Sequence, residues 1–330
     1  MNIFFRVDSG DFIGGGHISR CINFANYYNA HHIHFICKNH SNNLTGNIPA
    51  NFQKHILPIT KKITENEATW LGSTWKEDAD QCKNILVNCD VLIVDHYAIP
   101  IEWEKEMRNY TGKLMVIDDY SNRQHDCDIY FNQQIGENNG LQIPNNCRTI
   151  LGEIIFNRQF EYIKPKEITE CKRINIFMGA ADHLNLTSQL FPLIPKFPEI
   201  TFDIIVGGCN RHYEEIKEKY KDSQNVNLHY NLEFIGNILN EADLCIGGLS
   251  GTTYERFLLR KPSIHIVFSE NQKTMISKIE KITNILNLDE LHKIPELIAH
   301  YIANPRILQE ESEKCNIINR NVFTTIKSIL

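Results

Sequence analysis

The sequence predicts an α/β protein of two Rossmann-like domains, each a doubly wound parallel sheet, facing an interdomain cleft. Three observations carry this. Short apolar runs alternate with stretches of helical periodicity along the chain. Two glycine-rich segments, Gly14-Gly15-Gly16 and Gly247-Gly248 with Gly251, each follow a strand-like run and open a helix-like one. The 330 residues suffice for two domains of ordinary size.

In the first half the strand candidates are Ile3–Val7, His32–Cys37, Val91–Asp95, Lys113–Ile117 and Asp128–Asn132. Between the first two, Ile18, Cys21, Ile22, Ala25 and Tyr28 recur at helical spacing. The stretch EATWLGSTWKEDADQCKNIL reads as a turn and then a helix. A second series of strands begins near Arg173 with RINIFMG, ITFDIIVGG, VNLHY, ADLCIGG and SIHIVF. Leu232, Ile235, Ile238, Leu239 and Ala242 predict a helix over 232–242. The charged, proline-containing stretch before Arg173 has weak periodicity and reads as a linker. The organisation expected is an N-terminal domain over 1–156, a linker over 157–172 and a C-terminal domain over 173–330. Tail helices after Leu286 are expected to pack back on the N-terminal domain.

Composition excludes several classes. Hydrophobic residues make up 42% and charged residues 22%, values of a soluble globular protein. No apolar run reaches the ~20 residues that span a bilayer, so no stable membrane insertion is expected. The first residues, MNIFFRVDSGD, lack the basic-then-apolar order of a secretory signal. Net charge is −6 and no basic stretch stands out, which argues against nucleic acid as a partner. Ten scattered cysteines without a C-x-x-C pair predict reduced thiols, a cytoplasmic protein and no structural zinc.

The first glycine loop follows strand one and precedes helix one. Amides at a helix start favour an anion, and glycine lets a ligand approach the backbone. The spacing is neither G-x-G-x-x-G nor a P-loop, because His17-Ile18 stands where Lys-Ser/Thr would be. A plain turn and a ligand loop both remain open. His17 is either a structural histidine or a general base beside an anionic ligand. In the second loop, Ser250, Gly251, Thr252 and Thr253 either cap a helix or bind a diphosphate, and Glu255 suits a ribose diol. Further polar residues gather at strand ends: Asp95-His96-Tyr97, Asp118-Asp119, Asn132, and Gly179 with Asp182 and Asn185. Asp118 and Asp119 point to opposite faces of an extended strand, so they do not form one dyad.

The ordered motifs are Arg6-x-Asp8, IGGGHISR (13–20), WLG with EDA (70–79), VDHYA (94–98), IDD (117–119), HDCDI with Asn132, FMGAADHLN (177–185), GGLSGTTYE (247–255) and ENQ (270–272). In that order they resemble the UDP-2,4-diacetamido-2,4,6-trideoxy-β-L-altropyranose hydrolases of pseudaminic acid biosynthesis, relatives of the GT-B glycosyltransferases. The resemblance implies a two-domain GT-B fold, a UDP-sugar substrate and loss of UDP by water attack at the anomeric carbon, without metal or cofactor. The cellular setting implied is glycosylation of flagellin or surface polysaccharide. It makes His17 the catalytic base, places Glu255 on the nucleotide and Arg158 on the substrate. Further substrate contacts are expected at Asp8, Gly14, Gly15, Gly16, His96, Tyr97, Asp119, Gly179, Asp182, Asn185, Ser250, Gly251, Thr252, Asn271 and Gln272. The chain departs from the family at Met178-Gly179-Ala180-Ala181-Asp182, where Gly-Gly-x-Asp is expected. The alternatives on the same fold are a glycosyltransferase, a non-catalytic nucleotide-sugar binder and a 2-epimerase. A monomer is compatible with all of them.

Overall fold

The computed structural model describes residues 1–120, 122–134, 147–268 and 272–330. They form two units, Met1–Arg158 with Asn321–Leu330, and Gln159–Arg320.

The first unit is a parallel sheet of β1 (Asn2–Val7), β2 (His32–Lys38), β3 (Gln53–Leu57), β4 (Cys89–Asp95), β5 (Thr111–Ile117), β6 (Ile129–Asn132) and β7 (Arg148–Leu151). The spatial order is β3-β2-β1-β4-β5-β6-β7. Helices α1 (Gly16–Tyr27), α2 (Trp75–Lys83) and α3 (Ile101–Met107) connect strands. Val91, Leu92, Ile93 and Val94 of β4 are all buried, as a strand covered on both faces requires. α2 starts at a capping box in which Glu77 N donates to Thr74 Oγ1 at 3.2 Å and Thr74 N to Glu77 Oε2 at 2.7 Å. The strand order reverses between β1 and β4, so their following loops diverge there and leave room for a ligand.

The second unit is a parallel sheet of β8 (Arg173–Phe177), β9 (Thr201–Val206), β10 (Val226–Tyr230), β11 (Leu244–Gly248), β12 (Ser263–Val267) and β13 (Asn284–Asn287). Its order, β10-β9-β8-β11-β12-β13, has the equivalent switch point between β8 and β11. Its helices are α4 (Leu186–Gln189), α5 (Tyr213–Tyr220), α6 (Gly236–Glu241), α7 (Gly251–Leu258), α8 (Lys273–Ile279), α9 (Ile294–Ala303) and α10 (Pro305–Lys314). The last helix, α11 (Val322–Lys327), joins the first unit, where Tyr28 donates its hydroxyl proton to the Ile326 carbonyl at 2.6 Å.

Two expectations differ from what is observed. The helix expected from Leu232 begins at Gly236, and Leu232 is 39% exposed. Asn231 takes a left-handed φ of 46° and turns the chain, while Phe234 packs edge-on to Phe160 at 4.9 Å. The segment read as a linker is built into the second unit from Gln159 onward, with Phe160, Ile168 and Cys171 buried. No helix among the described residues is long and apolar enough to cross a membrane.

Candidate active site

In the first unit α1 lays His17 and Arg20 on one face, as three-residue spacing dictates. β4 ends in Asp95, which points to that face, while Val94 points to the core shared with α2 and α3. His17 Nδ1 lies 2.6 Å from Asp95 Oδ1. Arg20 grips the same carboxylate through Nε and Nη2, both at 2.5 Å, and donates from Nη1 to Asp119. Asp95 is fully buried, a state that by itself would raise its pKa; the Arg20 and His17 contacts instead hold it well below the usual carboxylate range. An ionised carboxylate only accepts, so the His17 Nδ1 proton points at Asp95 and Nε2 is the basic nitrogen. The His17 side chain is 11% exposed, enough for one ring edge to meet a reactant. Tyr97 packs its ring edge-on to His17 at 4.6 Å.

Asp119 anchors this array by accepting also from Gln133 N at 3.1 Å and Tyr97 Oη at 3.4 Å. Asp118 belongs to a separate network on the other face, accepting from Tyr120 N at 3.1 Å and lying 2.9 Å from His125 Nε2. His125 Nδ1 is 2.7 Å from Glu104, and the two carboxylates hold this buried imidazole up at about 9 against the effect of burial. Asp8 and His96 are enclosed beneath the site. Asp8 meets Arg6 Nη1 at 2.7 Å, the Lys38 amide at 2.6 Å and His96 Nε2 at 3.1 Å. Arg6 continues to Asp78 on α2 at 2.8 Å. Asp8 and His96 are both buried, and burial pushes His96 below its ordinary value, so a neutral imidazole meets the Asp8 carboxylate where β1 and β4 end.

The glycine loop answers the question of turn or ligand residue by residue. Gly10 and Gly14 exchange backbone hydrogen bonds, and Gly14 has a φ of +76°, so a tight turn accounts for it. Gly15 is the N-cap of α1. Gly16 has no positive φ, and a Cβ built there meets nothing within 4 Å. Neither backbone strain nor packing calls for glycine at 16, whereas close approach of a ligand would.

In the second unit Gly179 follows β8 with a φ of +96°. Ala180, where the family resemblance expects glycine, presses on the β9 loop: a Cβ at Gly207 would fall 2.3 Å from Ala180 Cα. Asp182 is spent on capping α4, accepting from Leu186 N at 2.8 Å and Thr187 N at 3.0 Å. Asn185 donates to Glu215 at 3.1 Å. After β11, Ser250 N donates to Thr253 Oγ1 at 3.1 Å, and Gly251 and Thr252 open α7. A Cβ at Gly251 meets nothing within 4 Å, which repeats the situation at Gly16. Glu255 lies one turn into α7, its carboxyl pushed up to about 7 by burial. Gln272 accepts from the Phe268 amide at 2.8 Å. Arg158, the last residue of the first unit before the boundary, has no hydrogen-bond partner for its Nε. Asn271 lies outside the described residues.

The structure therefore groups His17, Tyr97, Asp119 and the 14–16 loop, and separately Gly179, Ser250, Gly251, Thr252 and Glu255. Sequence reasoning named Asp95 only among the polar residues at strand ends, without a site role, and missed Arg20. The available signals were the position of Asp95 at a strand end beside β1 and the placement of Arg20 one turn after His17.

Two switch points bearing glycine loops, one in each of two parallel Rossmann-like sheets, make this a GT-B fold. No family model matches the chain. It is similar to the UDP-2,4-diacetamido-2,4,6-trideoxy-beta-L-altropyranose hydrolase of Campylobacter jejuni subsp. jejuni serotype O:2, with 26% identity over 288 residues, 85% of this chain and 97% of that protein. Among solved structures it is similar to Acinetobacter baumannii MurG, with a TM-score of 0.63, 11% identity, and 99% and 98% of the two chains covered. It also resembles the calicheamicin glycosyltransferase CalG4 (TM-score 0.62, 10% identity, 99% and 94% covered). A third likeness is to the UDP-GlcNAc 2-epimerase of Neisseria meningitidis, solved with UDP-GlcNAc (TM-score 0.57, 13% identity, 99% and 98% covered). These three share the fold. The resemblance first drawn from the ordered motifs is the one the hydrolase carries in sequence.

Proposed function

We propose that the protein is a hydrolase that releases UDP from a UDP-linked 2,4-diacetamido-2,4,6-trideoxy hexose, a step toward a pseudaminic-acid-type sugar in the cytoplasm. The observation that carries the reading is His17, fixed by Asp95 and facing outward beside the Gly16 opening. His17 Nε2 takes a proton from water as the water oxygen bonds to the anomeric carbon. The bond from that carbon to the diphosphate oxygen breaks, and its electron pair leaves with UDP. Asp95 stabilises the imidazolium as it forms, by the logic of a carboxylate-oriented histidine base. Open amides at the start of α7 receive the diphosphate, and Glu255 accepts from the ribose hydroxyls. Gly14, Gly15, Gly16, Tyr97, Asp119, Arg158 and Gly179 complete the substrate's surroundings, with Asp8, His96, Asp182, Asn185 and Gln272 supporting the loops from beneath. The enzyme uses no metal and no acceptor.

The fold is equally that of glycosyltransferases, and transfer to an acceptor hydroxyl is the second reading. One assay separates them. Incubated with the UDP-sugar and no acceptor, the hydrolase yields UDP and free sugar in equal amounts over many turnovers; an acceptor-dependent rate would establish transfer instead.

A further inference from the structure

A second charged centre lies in the second unit, and the chemistry above leaves it unused. Arg256, on the inner side of α7, is 0% exposed. Its Nη2 donates to the carbonyl of Phe177, the last residue of β8, at 3.1 Å. Its Nη1 lies 3.3 Å from Nδ1 of His265 on β12, which is also fully buried. A guanidinium only donates, so Nδ1 must accept and the imidazole is neutral. Burial and the adjacent cation both hold His265 well below its ordinary value. Arg256 Nε has no hydrogen-bond partner, and the neighbouring Glu255 carboxylate acts on the guanidinium through space without a hydrogen bond to it among the described residues. A cation enclosed with no carboxylate bonded to it is costly, by several kcal/mol in typical proteins.

Local geometry ties that cost to the glycine loop. A Cβ on Gly247 would fall 2.1 Å from Arg256 Nη2 and 2.1 Å from the Phe177 carbonyl. Glycine stands at 247 because the guanidinium crosses the end of β11 there. The residues that follow are the ones whose amides open α7, where Gly251 faces open space. The carbonyl it grips is that of Phe177, two residues before the Gly179 turn.

We propose that Arg256 is a positioning residue for a nucleoside diphosphate: its fixed charge beneath Gly247 draws the diphosphate to the 248–253 loop, and its grip on Phe177 sets the Gly179 turn. The ligand adds negative charge that Glu255, which makes no hydrogen bond to the guanidinium among the described residues, supplies only in part. This rests on the reading of that loop as the UDP site.

The test compares wild type, Arg256→Met and Arg256→Lys for thermal unfolding without ligand, for UDP binding by calorimetry and for uridine binding by ligand-observed NMR. Arg256→Met removes the buried charge, so the free protein is expected to melt no lower than wild type and to bind uridine equally well. UDP affinity is expected to fall about tenfold or more, and Arg256→Lys to restore most of it. Arg256→Met binding UDP within twofold of wild type overturns the assignment. So does a variant that melts lower and loses uridine and UDP in equal proportion, since that is a purely structural role. Wild type that fails to bind UDP removes the reading of the loop itself, and this assignment with it.

Discussion

Asp95→Asn is the sharpest test of the first-unit array. The substitution keeps shape and removes one charge from a carboxylate 2.6 Å from His17 and 2.5 Å from Arg20. Arg20 retains Asp119 as a partner, so the helix position is not released. The imidazolium formed as water is deprotonated loses an opposite charge. At roughly 4 Å between charge centres and an effective dielectric of about 20, such a pair is worth about 4 kcal/mol. Each ~1.4 kcal/mol is tenfold in rate, so turnover is expected to fall by about 10²–10³. An asparagine amide can also donate to Nδ1 and hold the wrong tautomer, which acts in the same direction. The assay is single-turnover release of UDP from the UDP-sugar, with UDP binding as the check that the fold and nucleotide site persist. A variant whose rate stays within tenfold of wild type, with UDP binding intact, refutes the role of Asp95 and weakens that of His17.

Three further outcomes follow from the same geometry. His17→Asn should lower UDP release by about 10²–10⁴ while UDP still raises the melting temperature as in wild type; near-normal turnover would sink the base assignment. His125 is raised from its ordinary 6.5 to about 9 in the folded state, so its stabilisation is fully present below pH 6.5 and is lost as pH rises through about 9. The stake is roughly 3 kcal/mol, and the urea midpoint should fall between pH 6.5 and 9.5 in wild type but much less in His125→Gln. Equal slopes in the two proteins would count against it. Gly207→Ala puts a methyl 2.3 Å from Ala180 Cα and 2.5 Å from its carbonyl oxygen, and should destabilise the second unit by about 1–3 kcal/mol in thermal unfolding. An unchanged melting temperature would mean the two loops are not in contact.

Which parts of this were legible beforehand depended on where the information resides. Interior strands such as β4 announce themselves through four successive buried apolar residues, and glycine loops mark the strand ends that matter. Strands β3, β7 and β13, read QKHIL, RTIL and NILN, are short sheet-edge or near-edge segments whose mixed exposure gives no alternation. His17 could be singled out from its local position. Asp95 could not be preferred over His96 or Tyr97, because which face of β4 meets α1 is decided by tertiary packing. Arg20 finds Asp119 across 99 positions of chain, a pairing that no local pattern encodes. Arg256 was hidden for another reason: a basic residue after Glu255 in an amphipathic helix reads as solvated.

The opposed directions of Asp95 and His96 bear on how the chain reaches this structure at all. Because β4 is apolar on both sides, hydrophobic alternation cannot tell one alignment of the strand from the next. The observed pairing sets Val7 opposite Asp95. A slip of one residue would turn Asp95 away from Arg20 and into the buried cluster in which Arg6 and Lys38 already pair Asp8 and Asp78. The polar tip of the strand therefore favours the observed alignment, in which Asp95 meets Arg20 and His96 meets Asp8, so the pairing that serves the site also satisfies the buried charges.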